Sequence, residues 1–387
     1  MTIDAILSET TPRAMRIALM AGDRLVELHI DRPGRGHREG DVFVGRVSRV
    51  VPALDACFVE LPEGVSGFLR TREVDRDGSG EPLSRLVQEG QKIAVAVKAE
   101  AHDEKGPLLT CRFEDKDGAI AAAALRSKGP RLLARARMLL TRLADAFPDA
   151  RIVADSPAEL VALRRRQRAG EVVLHQGGAL FENAGVEEQI EGALAPRMAL
   201  ASGATLLFEP GQTLTAIDID TARASESARD PLAVNLEAVP VIARQLRLRN
   251  IGGLIVVDFL NMKGEEASRR LMQGLAEALR SDPAETASDG PSRFGAVEIA
   301  RRRRGPTLAE TVGAPPIAAA EALIRRLRRE AAMQGGATLV VRASPEVARV
   351  FAGDDGGKAI ANWVGRRLEL VSEPGRAHHE TDIAAEL

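Results

Sequence analysis

The chain has 387 residues, 45% of them hydrophobic, which suffices for two to four compact units at about 150 residues each. Its formal net charge of −2 excludes a globally basic nucleic-acid binder, so any surface for a polyanion is local. With two cysteines, Cys57 and Cys111, it cannot form a four-cysteine zinc site or a disulfide framework, and no apolar run is long enough to span a bilayer.

The opening MTIDAILSETTPRAM lacks the charged head and apolar centre of a signal peptide, which predicts a cytoplasmic protein. Residues 14–31 predict a hairpin: RIALMA, a Gly-Asp turn, then RLVELHI. PGRGHREG is a turn-rich link. From 41 to 113, short strands alternate with glycine-containing turns (DVFVGRVSRVV, DACFVEL, GFLR, QKIAVAVKAE), the pattern of a small closed barrel. Both cysteines fall in such strands and read as small buried residues. TREVDRDGSGEPLSR, residues 71–85, reads as a polar, mobile loop. Residues 114–150 read as alanine-rich helix. A strand at 150–156, a helix at 157–168, a strand at 171–177 and a helix at 185–194 follow.

The most informative stretch comes next. TLTAIDID, 213–220, reads as an apolar strand ending in two acids. PLAVNLEAVPVIARQLRLRN, 231–250, reads as an amphipathic helix, with Pro240 expected to kink it or displace its start. GGLIVVDF, 252–259, reads as a second buried strand, again ending in an acid. A strand–helix–strand unit sets its strands side by side and parallel. Acids at their carboxyl ends converge where open sheets usually build sites. Asp218 and Asp258 can therefore share one metal ion, and Asp220 faces the same side as Asp218. Read alone, such acids serve equally as helix caps or partners for arginines.

Residues 281–292 read as a polar loop, 305–316 as a linker, and 318–333 as an amphipathic helix leading into a small α/β unit. Only seven of the 53 basic residues are lysine, so a coding bias toward arginine weakens any single arginine run. The candidates for a local polyanion surface are Arg244, Arg247 and Arg249, or Arg301 to Arg304. A solvated helix face explains the latter run equally well.

Three long, ordered segments carry a resemblance: AIDIDTARASES, NLEAVPVIARQLRLRNIGGLIVVDFLNM and SRFGAVEIARRRRGPTLAE. With residues 14–70, 177–210 and 338–364, they closely resemble the ribonuclease E/G family along nearly the whole chain. The resemblance implies an α/β chain of several subdomains. An OB-fold barrel (37–118) is inserted into a ribonuclease H-like part (1–36 and 130–204). A DNase I-like catalytic part (205–312) and a small C-terminal α/β domain (313–387) follow. Residues 119–129 stand where the family inserts a sensor of the RNA 5′ end, and read as its remnant.

The same resemblance implies an endoribonuclease that cuts single-stranded RNA by metal-assisted hydrolysis, leaving a 3′-hydroxyl and a 5′-phosphate. Mg²⁺ is the expected ion, with Mn²⁺ a second candidate. Asp218 and Asp258 match the family's two metal-binding aspartates, with Asp220 a third catalytic acid beside them. Phe58 and Phe68 match aromatics that hold single-stranded RNA, Lys105 a lysine of the RNA channel, and Arg293 a residue near the active site. Unaided by the family, both phenylalanines would read as barrel core and Arg293 as a surface ion pair.

The chain also departs from the family. Asp220 stands where asparagine is usual, and Asn261 where aspartate is common. Asp220 is then either a third metal ligand or an acid that repels the scissile phosphate. ETVGAPP, 310–316, lacks the Cys-x-x-Cys with which two chains share a zinc ion, so neither zinc nor a zinc-linked dimer is expected. The oligomeric state stays open. Two rivals remain: an RNA-binding protein of this fold with weak or lost catalysis, and a metal-dependent phosphoesterase acting on small nucleotides.

Overall fold

The computed structural model describes residues 2–386 apart from 33–35, 76, 77, 102–104, 114–118, 137, 165–169, 178, 222–229, 334, 336 and 337. Parts of the expected loop at 71–85, of the helices at 114–150 and 157–168, and of the segment AIDIDTARASES therefore lie outside the described residues. The chain divides into two compact units, Gly34–Arg142 and the remainder on either side of it. No described helix is long and apolar enough to cross a membrane.

The remainder begins with an antiparallel meander, β1 (Ala5–Thr10), β2 (Met15–Ala21) and β3 (Arg24–Asp31). The last two are the expected hairpin. β1 escapes a reading by alternation because its buried half includes Ser8 and Glu9. Ser8 donates to Glu159, which compensates its burial, and the Thr10 amide donates to Asp155 at 2.9 Å, while Glu9 faces Arg16 at 3.8 Å.

The inserted unit holds β4 (Val42–Val51), β5 (Ala56–Glu60), β6 (Ser66–Arg70), α1 (Thr71–Val74), α2 (Leu83–Leu86), β7 (Lys92–Ala99), β8 (Leu108–Thr110), α3 (Ala119–Arg126) and β9 (Arg131–Ala134). The strand order β5-β6-β8-β7-β4 closes on itself because β4 also pairs with β5. This is the expected small closed barrel, built of five strands. The first half of β4 pairs with β7 and its second half with β5, with a register shift between Val47 and Arg49. Gly45 sits at the changeover. A Cβ there would lie 2.4 Å from Val59 Cγ1 and 2.9 Å from the Glu60 carbonyl, so only glycine lets β4 cross onto β5. Phe43, Val47, Val59, Leu69, Val95 and Leu109 fill the interior with both cysteines. Burial pushes the Cys57 thiol up to about 11.

Two expectations change here. The loop at 71–85 carries the single-turn helices α1 and α2, and Asp75 accepts from the Ser79 and Gly80 amides between them. The stretch 114–150 is not continuous helix. Arg131–Ala134 is a strand that pairs with β4, and the compact unit extends past it to Arg142.

After α4 (Leu139–Ala146), the chain adds β10 (Arg151–Ala154), α5 (Pro157–Arg164), β11 (Val172–Leu174), α6 (Leu180–Asn183) and α7 (Val186–Leu194). β10 and β11 run parallel to β1, giving the order β11-β10-β1-β2-β3. Leu25, Phe181, Val186 and Ile190 are among its core residues.

A six-stranded sheet follows: β12 (Arg197–Ala199), β13 (Thr205–Pro210), β14 (Leu214–Asp220), α8 (Pro231–Leu248), β15 (Gly253–Asp258), α9 (Glu265–Leu279), β16 (Thr286–Asp289) and β17 (Ala296–Arg301). Its order is β12-β13-β14-β15-β17-β16. β14 and β15 are parallel, joined through α8, and the other pairs are antiparallel. Asp230 caps α8 by accepting from the Leu232 amide, and Pro231 at the first position fits the helix start. The helix continues through Pro240, whose ring lies on the exposed face. Val234, Ala238, Val239, Ile242 and Leu246 of α8 join Leu271 and Leu275 of α9 against Ile217, Ile219, Ile255, Val257, Val297 and Ile299 of the sheet. Each of these buried valine, leucine and isoleucine side chains contributes about 1.5–3 kcal/mol. The expected loop at 281–292 contains β16, a short polar edge strand paired with β17.

The chain ends in α10 (Leu308–Val312), α11 (Pro315–Met333), β18 (Thr338–Ala343), α12 (Pro345–Ala352), α13 (Lys358–Val364), β19 (Arg367–Ser372) and β20 (Asp382–Glu386). The expected linker at 305–316 therefore includes a helix, capped by the reciprocal Thr307–Glu310 pair. The last three strands form a sheet of order β19-β18-β20 with its own apolar core.

Candidate active site and nucleic-acid interface

One face of the six-stranded sheet is covered by α8 and α9. Strand alternation sends Ile217, Ile219, Ile255 and Val257 into that core, and leaves Asp218, Asp220 and Asp258 exposed on the opposite face. Asp218 and Asp258 are direct register partners. Their backbones are therefore separated by one strand spacing, about 4.8 Å. Among the described residues, no hydrogen bond or ion pair ties up either carboxylate. Neither carboxylate caps a helix or pairs with an arginine among the described residues.

Asp220 lies two residues further along the same face. β15 ends at Asp258, so the lateral neighbour of Asp220 is Thr205 on β13. Among the described residues, no three His, Cys, Asp or Glu side chains come together as a metal cage. The arrangement is a carboxylate pair open to solvent, which fits a hard cation that keeps most of its waters.

The loop leaving β15 carries Asn261, which is exposed. It is fastened by Asn235 of α8, a residue the sequence reading missed. Asn235 is fully buried, donates from Nδ2 to the Leu260 carbonyl at 2.9 Å and accepts from the Leu260 amide at 3.0 Å. A polar residue among the buried positions of an amphipathic helix was the available signal. On the other side of Asp258 stands β17, where Ala296 is its register partner. The turn before it holds Arg293, exposed, with its guanidinium 4.6 Å from the centre of the Phe294 ring.

The barrel carries a separate surface. Phe58 alternates with the buried Cys57 and Val59, and Phe68 with the buried Leu69, so both rings point outward and are only half-buried. They are register partners, 5.5 Å apart edge to face. Leu108 on β8 extends the row as the partner of Phe68, and is 40% exposed. Arg49 lies 5.3 Å from the Phe58 ring and Arg70 6.0 Å from the Phe68 ring. Lys105 is exposed just before β8. The two rings and their flanking cations thus make one row on the outer surface of the barrel.

The arginines suggested as a local polyanion surface prove largely structural. Arg244 donates to the Leu25 carbonyl at 2.9 Å. Arg247, buried, pairs with the half-buried Glu27 at 2.5 Å. Arg249 lies 4.1 Å from the Phe208 ring, and burial lowers it to about 10. Arg301 is buried at the end of β17, holds both oxygens of Asp282 and donates to the Ile251 carbonyl at 2.8 Å. Only Arg302, Arg303 and Arg304 of that run are exposed, and none is helical.

Residues 36–112 match the S1 RNA binding domain, and residues 111–304 match the Ribonuclease E/G family. Ribonuclease E of Escherichia coli (strain K12) is 28% identical over 398 residues, covering 79% of this chain and 37% of that protein. Ribonuclease E of Haemophilus influenzae is 29% identical, covering 79% of this chain and 42% of that protein. Ribonuclease G of Salmonella typhimurium (strain SL1344) is 26% identical, covering 98% of this chain and 99% of that protein. The chain thus spans about two fifths of the length of these ribonucleases E and nearly all of that ribonuclease G. The last alignment runs over 483 positions, more than the 387 residues here, so that relative carries segments with no counterpart in this chain. With half of its length matched by the family and its barrel matched by an RNA-binding domain, the chain belongs to the Ribonuclease E/G family.

Proposed function

We propose that this chain is an endoribonuclease that cleaves single-stranded RNA by Mg²⁺-assisted phosphodiester hydrolysis, leaving a 3′-hydroxyl and a 5′-phosphate. The observation that carries this reading is the Asp218–Asp258 pair, two exposed carboxylates side by side on one sheet face, with no hydrogen bond or ion pair among the described residues. Both are oxygen donors, as Mg²⁺ and Mn²⁺ require. When bound, such an ion polarises a phosphoryl oxygen and makes a nearby water a better nucleophile. Asp218 and Asp258 would hold it, and Asn235 keeps the loop beside them in place. Phe58, Phe68 and Lys105 would bind the RNA strand by stacking and charge, and Arg293 would clamp a phosphate.

The expected result is cleavage of labelled single-stranded RNA by the purified chain in Mg²⁺, stopped by a chelator. A second reading, an RNA-binding protein with weak or lost turnover, is favoured by one feature: Asp220 adds a negative charge on the face where a phosphate must sit. Binding without cleavage under the same conditions would support it. Asp220→Asn then separates the two roles of that acid. The rate falls if Asp220 is a ligand and rises if it repels the substrate.

A further inference from the structure

Phe294 is 78% exposed, more than any other large apolar side chain among the described residues. The other nine phenylalanines are buried or half-buried, and the chain has no tyrosine. Nothing in the fold requires the ring to stand in water. The turn that carries it is built without it. The Ser292 amide donates to the Ala296 carbonyl at 2.8 Å, and the Gly295 amide donates to the Ser292 carbonyl at 2.9 Å. The Phe294 amide donates to Ser292 Oγ at 3.3 Å, and Gly295 takes the positive φ of 91° that the reversal needs.

The turn is placed beside the acids. Ala296, two residues after Phe294, is the register partner of Asp258. A Cβ on Gly295 would lie 3.4 Å from Asn261 Oδ1, so the turn abuts the loop that leaves β15. The Phe294 backbone therefore stands on the order of 10 Å from that of Asp258, one strand spacing and two residues away. The Arg293 guanidinium lies over one face of the ring. The other face is left for one flat partner.

We propose that Phe294 is a base-stacking subsite of the active site, taking the base of a nucleotide that flanks the cleaved phosphate, with Arg293 behind the ring supplying positive charge to the strand. This rests on the reading of the chain as a ribonuclease. Stacking on an aromatic tolerates any base, so the subsite positions the strand without choosing its sequence.

The test uses the full chain carrying Asp218→Asn, which binds RNA without turnover, and single-stranded RNAs with 2-aminopurine moved one position at a time. Fluorescence quenching at one position is expected, lost in Phe294→Ala and kept in Phe294→Trp. With Asp218 intact, Phe294→Ala should lower kcat/KM about tenfold at unchanged Tm, and Phe294→Trp should restore it. Equal position-specific quenching with and without the Phe294 ring would overturn the proposal. A chain that cleaves no RNA but shows the Phe294-dependent quench would sink the ribonuclease reading and leave the subsite standing.

Discussion

Asp218 and Asp258 are register partners on β14 and β15, the parallel pair in an otherwise antiparallel sheet. α8 provides the crossover that makes the pair parallel, so both acids arrive at the same end of the sheet. Strand alternation then puts both on the face away from the helices. A one-residue slip of either strand would turn its acid into the core, so burial of Ile217, Ile219, Ile255 and Val257 fixes the geometry of the site.

Asn235 is predicted to couple stability to activity. Asn235→Leu leaves both the amide and the carbonyl of Leu260 unsatisfied in the interior, at a cost on the order of 1–3 kcal/mol each. Asn235→Asp keeps an acceptor for the amide but sets a buried carboxylate against the Leu260 carbonyl, and should lose at least as much. Urea melts and cleavage rates of the two variants check this. Rates that match wild type in a chain destabilised by Asn235→Leu would show that the clamp does not serve the site.

The barrel platform predicts the opposite balance. Phe58→Ala and Phe68→Ala should each weaken binding of single-stranded RNA by about 1–3 kcal/mol, with Tm little changed. Both rings lie outside the barrel interior, so little packing is lost. Affinity measurements and thermal melts on the same preparations decide it. A large fall in Tm with unchanged affinity would return both rings to a structural role.

Glu27 gives a pH-dependent prediction. Burial alone would raise its carboxyl, but the hydrogen bond and charge of His29 and the Arg247 guanidinium override this and lower it to about 2. A folded value below the unfolded one stabilises the protein fully above about pH 4.5, and that contribution is lost as pH falls towards 2. Burial raises Glu9, Asp155 and Glu159, which work in the opposite sense and favour the fold on acidification. Arg247→Met should destabilise the protein at pH 7 by about 1–3 kcal/mol, because it removes a charge-assisted hydrogen bond and leaves His29 to hold the half-buried Glu27 carboxylate. The gap to wild type should narrow at pH 3. Urea melts at the two pH values measure it, and an unchanged gap would contradict the pairing.

RNAs differing only in a 5′-hydroxyl or a 5′-monophosphate should be cleaved with nearly equal kcat/KM. The chain passes from β8 to β9 with only α3 described between them, where the family's sensor of the 5′ end is inserted. Comparison by kcat/KM reports transition-state stabilisation from free enzyme and substrate. A large advantage for the monophosphate would mean that another surface reads the end group.

The carboxylate pair was legible because each acid closes an apolar strand, and the platform because Phe58 and Phe68 match family positions. Other features were hidden by averaging over short windows. Four consecutive arginines look uniform, yet the alternation of Val297, Ile299 and Arg301 sends the first of them inward to Asp282. Asn235 falls beside Val234, Ala238 and Val239 in the buried stripe of α8, so helical period could have flagged it. β1 and β16 carry polar residues whose strand character comes from pairing and not from composition.

The most direct test of the account is cleavage of a labelled single-stranded RNA by the wild-type chain, Asp218→Asn and Asp258→Asn, each with and without Mg²⁺. Wild type should cut only with the ion, and each variant should lose roughly two orders of magnitude or more, the scale of removing a preorganised charge-stabilising group. Both side chains are exposed, so the variants should melt like wild type. Cleavage by both variants at near wild-type rates in Mg²⁺ would contradict the assignment of the active site to this pair.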